Sequence, residues 1–243
     1  MKHILLTLFV MSIFFSSENN PENNSINPPI TVLELFTSQG CSSCPPADEL
    51  LSKVQKREHV IALSYHVDYW NYIGWKDPFS QEAFSNKQRK YSQKFNSSSI
   101  YTPQVVVNGR EHFVGSDASK MNSKLDFYGN ILAENIVKIS EVNKKEDVIS
   151  FQYDVEGDLK GKSIRIVLVI KERTTKIGRG ENRNRTLKNA NIVVSEKVMS
   201  LNASRENHSI AIPNLVNEQD DLKLIAIVEN ENLDIVGAKE IDL

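Results

Sequence analysis

Cysteine is nearly absent from this 243-residue chain: it has two, both within the stretch Thr37-Ser38-Gln39-Gly40-Cys41-Ser42-Ser43-Cys44-Pro45-Pro46. A disulfide-dense scaffold is thereby excluded, and a chain of this length can bury a sizeable core without staples. Charge of one sign is lacking as well: 29 Lys and Arg stand against 31 Asp and Glu, a net charge of −2. That balance leaves no electrostatic footprint for nucleic acid or an anionic membrane surface. We find no internal repeat, no glycine-rich phosphate loop and no Ser, His and Asp in a defensible catalytic order. The one long apolar run lies at the start.

Lys2 and His3 precede the run Ile4 to Val10, continued by Met11, Ile13, Phe14 and Phe15. A basic start followed by an apolar stretch of about 12 residues has the form of a secretory signal peptide and is short for a permanent anchor. Residues 1–17 are therefore read as a signal peptide, and residues 18–29, polar and with three prolines, as a linker. Ser16 and Ser17 stand where an Ala-x-Ala cleavage site is expected, so an uncleaved tether is the alternative. No cysteine follows the run closely enough for lipid attachment. The rest of the chain is expected to act outside the cytoplasm, periplasmic or secreted, with no permanent membrane span.

Ile30 to Phe36 is a β-branched and aromatic run broken by one acid, Glu34, and reads as a strand. Ala47, Leu50, Leu51 and Val54 then recur at helical spacing, with Pro45 and Pro46 where a first turn tolerates them and Asp48 and Glu49 suited to the positive end of the helix dipole. Val60 to Val67 is a second strand, so the segment is a βαβ unit of a parallel sheet. Cys41 and Cys44 fall at the start of its helix, where free N–H groups and the dipole lower a thiol's pKa. Cross-linking so short a loop adds little stability, and two intervening residues let the second thiol resolve a mixed disulfide made by the first. A redox dithiol forming a Cys41–Cys44 disulfide is the leading reading, with a metal clip and an inert bridge as alternatives.

Pro78 to Phe95 reads as a second helix, with Phe84, Gln88, Tyr91 and Phe95 along one side and Lys87, Arg89, Lys90 and Lys94 on a solvated face. Asn108-Gly109 between "QVVV" and "REHFVG" is a hairpin turn, and a third helix is expected from Ser116 to about Tyr128. The order β-α-β-α-β-β-α is that of a thioredoxin fold. The motifs "FTSQGCSSCPPAD", "HVDYWNYIGWKDPF" and "YTPQVVVNG", with "GENRNRTLKNANIVV" further on, resemble the domain of unknown function 1223 family, secreted bacterial proteins with a thioredoxin-like core.

The resemblance implies a fold and a dithiol site, without a substrate. It implies that Thr102-Pro103 has a cis peptide bond facing the dithiol and that the Thr102 backbone pairs with a bound polypeptide; the alternative is a proline opening an edge strand. It implies that Glu34 assists the proton of the second thiol, the alternatives being an acid facing solvent or a buried Arg. His66, Asp68, Trp70 and Trp75, in the loop after the second strand, lie where ligands reach an α/β sheet and are candidate substrate contacts. His66 with Cys41 and Cys44 could instead hold Cu(I) or Zn(II), although no Cys₂His₂ spacing exists. Gly40 replaces the tryptophan that ordinary thioredoxins carry before the first cysteine, and Ser42-Ser43 separates the pair.

In the last third, Ile149, Phe151, Tyr153 and Val155 alternate with polar residues, and Ile164, Ile166, Leu168 and Ile170 follow the same period. The expected organisation is a thioredoxin-like domain over 30–136 and a small all-β, sandwich-like domain over 137–243. The basic loop from Arg173 to Asn191 is solvated by default and otherwise touches a partner or covers the dithiol. The expected function is exported thiol–disulfide oxidation or reduction on a protein or small thiol substrate, with Cys41 attacking, Cys44 resolving and no cofactor. The other reading is an extracytoplasmic metal-binding protein.

Overall fold

The computed structural model describes residues 27–243, so the signal peptide and all but the last three linker residues lie outside it. Among the described residues, no helix is long and apolar enough to cross a membrane. Strands β1 (Thr31–Thr37) and β2 (Val60–His66) are buried along their whole length and pair in parallel, from Thr31 opposite Val60 to Thr37 opposite His66. Their near-continuous apolar sequences suit strands covered on both faces. Helix α1 (Pro45–Val54) packs Ala47, Leu51 and Val54 on one face, against Leu33, Leu35 and Ala62. Helix α2 (Glu82–Lys94) covers the other, where Phe84 and Tyr91 meet Tyr65 and Phe36 edge-on.

Strand β3 (Gln104–Val107) runs antiparallel to β1 and turns through Asn108-Gly109 into β4 (Glu111–Val114). The turn residues have φ of 46° and 67°, as a type I′ hairpin requires. A Cβ on Gly109 would lie 1.9 Å from the Leu233 carbonyl, so only glycine fits there. Helix α3 (Ala118–Tyr128), capped by the Asp117 carboxylate on the Lys120 N–H, ends this half.

Seven strands follow: β5 (Ile136–Lys144), β6 (Val148–Glu156), β7 (Lys162–Lys176), β8 (Thr186–Ser200), β9 (Arg205–Ala211), β10 (Leu222–Asn230) and β11 (Ile235–Asp242). β5, β6 and β9 form a three-stranded sheet, whereas the other four join the first half in one eight-stranded mixed sheet of order β11-β10-β7-β8-β2-β1-β3-β4. The junction is a parallel contact of β8 with β2 at Ile192 and Ser64. Two sheets do face each other across a core of Ile149, Phe151 and Tyr153 against Ile164, Ile166 and Leu168. The larger of them is nevertheless shared with the first half. The expected apolar–polar alternation in β7 fails for the same reason: Val167 and Val169 on its second face join the core beneath α2.

The polar exception on that face is Arg165, fully buried. Its Nη1 lies 2.7 Å from Glu34 Oε1 and 3.3 Å from Glu196 Oε2, and its Nε lies 2.8 Å from Glu229 Oε2. Lys87, expected to face solvent, turns inward to within 3.1 Å of Glu196 and 3.6 Å of Glu34. The Tyr91 hydroxyl donates to Glu34 and the Tyr65 hydroxyl to Glu196. Burial opposes ionisation of Glu34, but Arg165 and Lys87 outweigh it and hold the carboxyl below its usual range. At Glu196 burial is likewise outweighed, by Lys87 and Arg165, and its pKa falls to about 2.

Removing one partner of a buried ion cluster leaves the others uncompensated. Arg165→Met should therefore lower the free energy of urea unfolding near neutral pH by about 3–5 kcal/mol. Depressed carboxyls stabilise the fold above their usual value of 4.5, and that stability is lost as pH falls toward about 2. The deficit of the variant should narrow across this window. A deficit constant from neutral pH down to about pH 3 would show that these carboxylates do not depend on Arg165.

Candidate functional site

Cys41 and Cys44 are joined by a disulfide where the chain enters α1, with a Cα–Cα separation of 5.5 Å. Cys44 occupies the N-cap, and Pro45 and Pro46 fill the first two helical positions. Neither proline has an N–H, and the N–H groups of Ala47 and Asp48 are taken by the Cys44 carbonyl. The expected free helical N–H donors at Cys41 are thus not supplied by the first turn. Hydroxyls stand there instead: Thr102 Oγ1 is 3.3 Å from Cys41 Sγ, and Ser43 Oγ is also 3.3 Å away.

The Thr102-Pro103 bond is cis, and this segment lies directly over Cys41. Trp70 Nε1 donates to Thr102 Oγ1 at 2.8 Å. An indole N–H can only donate, so the single hydroxyl proton of Thr102 is left for the sulfur. Gly40 has a steric reason as well, since a Cβ there would come within 3.1 Å of Trp70 Cβ. Trp75 lies one contact further out, its Nε1 donating to Gln39 Oε1 at 3.1 Å.

The segment between β7 and β8 folds onto the dithiol loop. Buried Asn182 donates through Nδ2 to the carbonyls of Gln39 and Cys41, each at 2.9 Å, and its Oδ1 accepts from Arg185 Nη1 at 2.7 Å. The Glu181 carboxylate accepts the Ser42 N–H at 2.9 Å. Of the basic stretch from Arg173 to Asn191, then, the contacts to the dithiol come from an amide and an acid. Both cysteines are buried as a result, at 1% and 0% exposure.

Three expected site residues lie elsewhere than their assigned roles require. Glu34 projects with Val32 and Phe36 onto the α2 face, paired with Arg165, whereas α1 and its dithiol sit on the face of Leu33 and Leu35. The expected role in thiol proton transfer has no geometric basis there, and the buried-Arg alternative describes its surroundings. Asp68 is tied to α2: its N–H donates to Ser85 Oγ at 3.1 Å, and the Ser85 hydroxyl donates to its carboxylate. His66 is fully buried and cannot touch a substrate; its Nδ1 is 2.7 Å from Asp77 Oδ2. Among the described residues no three His, Cys, Asp or Glu side chains converge on a metal position, so the set Cys41, Cys44 and His66 does not form.

Asp77 also accepts the Gln39 N–H at 2.8 Å and the Phe79 N–H at 3.0 Å, which fixes the start of the dithiol loop. Burial disfavours the imidazolium of His66, but the Asp77 carboxylate more than offsets it and raises the pKa. Burial likewise opposes ionised Asp77, and His66 with the two backbone N–H groups brings it below the usual range. The sequence reading missed Asp48. Set aside there as a charge suited to the helix dipole, it is buried, and desolvation pushes its carboxyl up to about 7 against the pull of His66. Its spacing of four from Cys44 was the available signal, because such residues share a helix face.

A crystal structure of a protein from Agrobacterium tumefaciens is similar to this one, at 27% identity over 88% of this chain and 94% of the other, with a TM-score of 0.65. Two structures of a beta-glucosidase from Kluyveromyces marxianus match 45% and 46% of the chain at 15% and 16% identity, with TM-scores of 0.23 and 0.22, too low to relate the folds. No curated protein matches the sequence. The model of a protein family of unknown function, DUF1223, matches residues 32–229, most of the described structure, and the chain belongs to that family.

Proposed function

We propose that this protein is an exported thiol–disulfide oxidoreductase, built on a thioredoxin-like first half, that works through Cys41 and Cys44. The observation carrying this reading is the directed chain from Trp70 N–H to Thr102 O–H to Cys41 Sγ, which offers a hydrogen bond to one sulfur of a disulfide. A hydroxyl aimed at a sulfur stabilises it best when the sulfur is a thiolate, and the thiolate is the nucleophile. A purely structural bridge has no use for such a donor. Export rests on the leader from Lys2 to Phe15.

In the reducing direction the Cys41 thiolate attacks a substrate disulfide, one substrate sulfur leaves as thiolate, and a mixed disulfide remains on Cys41. Cys44 then attacks Cys41 Sγ, releasing the second substrate thiolate and closing the Cys41–Cys44 bond, so two electrons pass to the substrate. The oxidising direction is the reverse. With both cysteines nearly enclosed, the substrate disulfide or thiol must reach them beside Thr102 and Ser43. An extended chain or a small thiol suits that approach better than a folded surface.

Equilibrating the purified protein in glutathione buffers and counting alkylated thiols should give a reduction potential above about −230 mV, in the range of working exchange catalysts; a value below about −300 mV would mark a structural bridge. Cys41→Ser should abolish exchange, whereas Cys44→Ser should accumulate a mixed disulfide. Equal residual activity in the two variants would remove the assigned roles. In reduced protein, Thr102→Val should raise the Cys41 thiol pKa by about one unit or more, the equivalent of one hydrogen bond to a charged group. Trp70→Phe should produce a smaller rise. The pH dependence of iodoacetamide alkylation reads both.

A further inference from the structure

Beneath the first turn of α1 the protein gathers buried polar atoms that lack well-formed hydrogen bonds. Asp48 Oδ1, His66 Nε2 and Ser64 Oγ have no partner, and Thr37 Oγ1, close enough to Asp48 to favour its ionised form, meets it outside good hydrogen-bond geometry. Buried polar groups are nearly always well paired, so such a cluster of atoms requires an explanation. They belong to one place. Side chains alternate along a strand, so Thr37 shares the face of Leu33 and Leu35, and Ser64 and His66 share that of Ala62, which is the face α1 covers. Thr37 and His66 are register partners across β1 and β2. Above them, Asp48 and Cys44 are successive residues on the buried side of α1, the Asp48 N–H donating to the Cys44 carbonyl at 3.1 Å. At that spacing the Cβ atoms are about 5–6 Å apart.

We propose that Asp48 is the proton acceptor for the Cys44 thiol in disulfide exchange, with the His66–Asp77 pair beneath it as its charged support. The inference rests on the dithiol reading above. Cys44, with no exposure, cannot give its proton to bulk water, and the carboxyl that shares its buried helix face, one turn on, is that of Asp48, a separation one water can bridge. In the resolving step the Cys44 proton passes to the Asp48 carboxylate while the sulfur electron pair attacks Cys41 Sγ. The bond from Cys41 to the substrate sulfur breaks, and the substrate leaves as a thiolate that solvent protonates. In the opposite direction the protonated carboxyl returns its proton to Cys44 as the bridge opens.

The groups facing Asp48 fit this role. His66 and Thr37 lie below it and favour its ionised form, and Asp77, hydrogen-bonded to His66, opposes that form as a like charge. On its outer side a cleft of about 240 Å³ is lined by Asp48, Pro45 and Glu49 of α1 and by Arg185 and Lys188 across from it. The cleft gives the proton a way out to solvent. With the carboxyl held near 7 by burial, it can both take and release a proton around neutral pH.

The test is the reaction of the reduced full chain with 5,5′-dithiobis(2-nitrobenzoate), which releases one thionitrobenzoate when Cys41 attacks and a second when Cys44 resolves. Asp48→Asn should slow the second release by about a hundredfold, in the range of general acid–base contributions, and leave the first within about twofold. In the wild type the rate of the second release should rise with a midpoint near 7, and the Asn variant should lose that rise. Asp48→Glu should restore part of both the rate and the pH dependence. A second phase of wild-type rate and profile in Asp48→Asn overturns the inference, as does a wild-type second phase that is flat across neutral pH, which is readable even if the variants do not fold. A wild type with no second release overturns the dithiol reading itself, an outcome distinct from either.

Discussion

A guanidinium enclosed on every side fixes how the two halves of this chain meet. Arg165 comes from β7, and its carboxylate partners come from β1, β8 and β10. Taking that charge out of water is tolerable only while those carboxylates surround it, and they in turn need Arg165 and Lys87. The cluster therefore admits one arrangement of β7, β8 and β10 against the first half. An eight-stranded sheet with a single registered contact between β8 and β2 would otherwise be weakly specified at its centre. Apolar packing of Val167, Val169 and Ile225 beside the cluster supplies area without direction, and the ion pairs supply the direction.

The dithiol inherits its geometry from that arrangement. With β7 and β8 in place, the segment joining them reaches the Cys41 loop, where Asn182 holds the Gln39 and Cys41 carbonyls. Asn189 on β8 accepts from Gln39 Nε2 at 3.1 Å, and Thr175 on β7 accepts from the same group at the same distance. A chain that ended after α3 would lack these contacts and leave the loop held chiefly by Asp77. The strands of the second half thus form an outer wall over the dithiol loop, and the family match runs through both halves.

Much of the first half was legible because its signals are local. The helix over Pro45–Val54, the glycine-dependent hairpin at Asn108-Gly109 and the position of the cysteines at a helix start each follow from a few neighbouring residues. Glu34 was not legible, since β1 is buried on both faces and alternation cannot tell one from the other. Its partner Arg165 is 131 residues away, and Asn182 is 141 residues from Cys41. Nothing in the local sequence pairs them. Asp48 failed for a different reason: an acid in a first helical turn has an adequate explanation in the helix dipole, and only tertiary burial distinguishes it from its exposed neighbour Glu49.

Under the proposed exchange the two sulfurs are already unequal before a substrate arrives. Cys41 is met by hydroxyls, with Thr102 oriented by an indole that can only donate, an environment that favours a thiolate. Cys44 instead shares its buried helix face with the Asp48 carboxyl one turn on, an environment suited to a thiol whose proton must be moved. The two prolines strengthen the contrast: with no N–H at the first two helical positions, the backbone cannot serve both sulfurs alike. The β1–β2 sheet separates the polar groups by task as well. Glu34 and its cations hold the fold together on the α2 face, and Thr37, Ser64 and His66 line the α1 face, so one set can be altered without rebuilding the other.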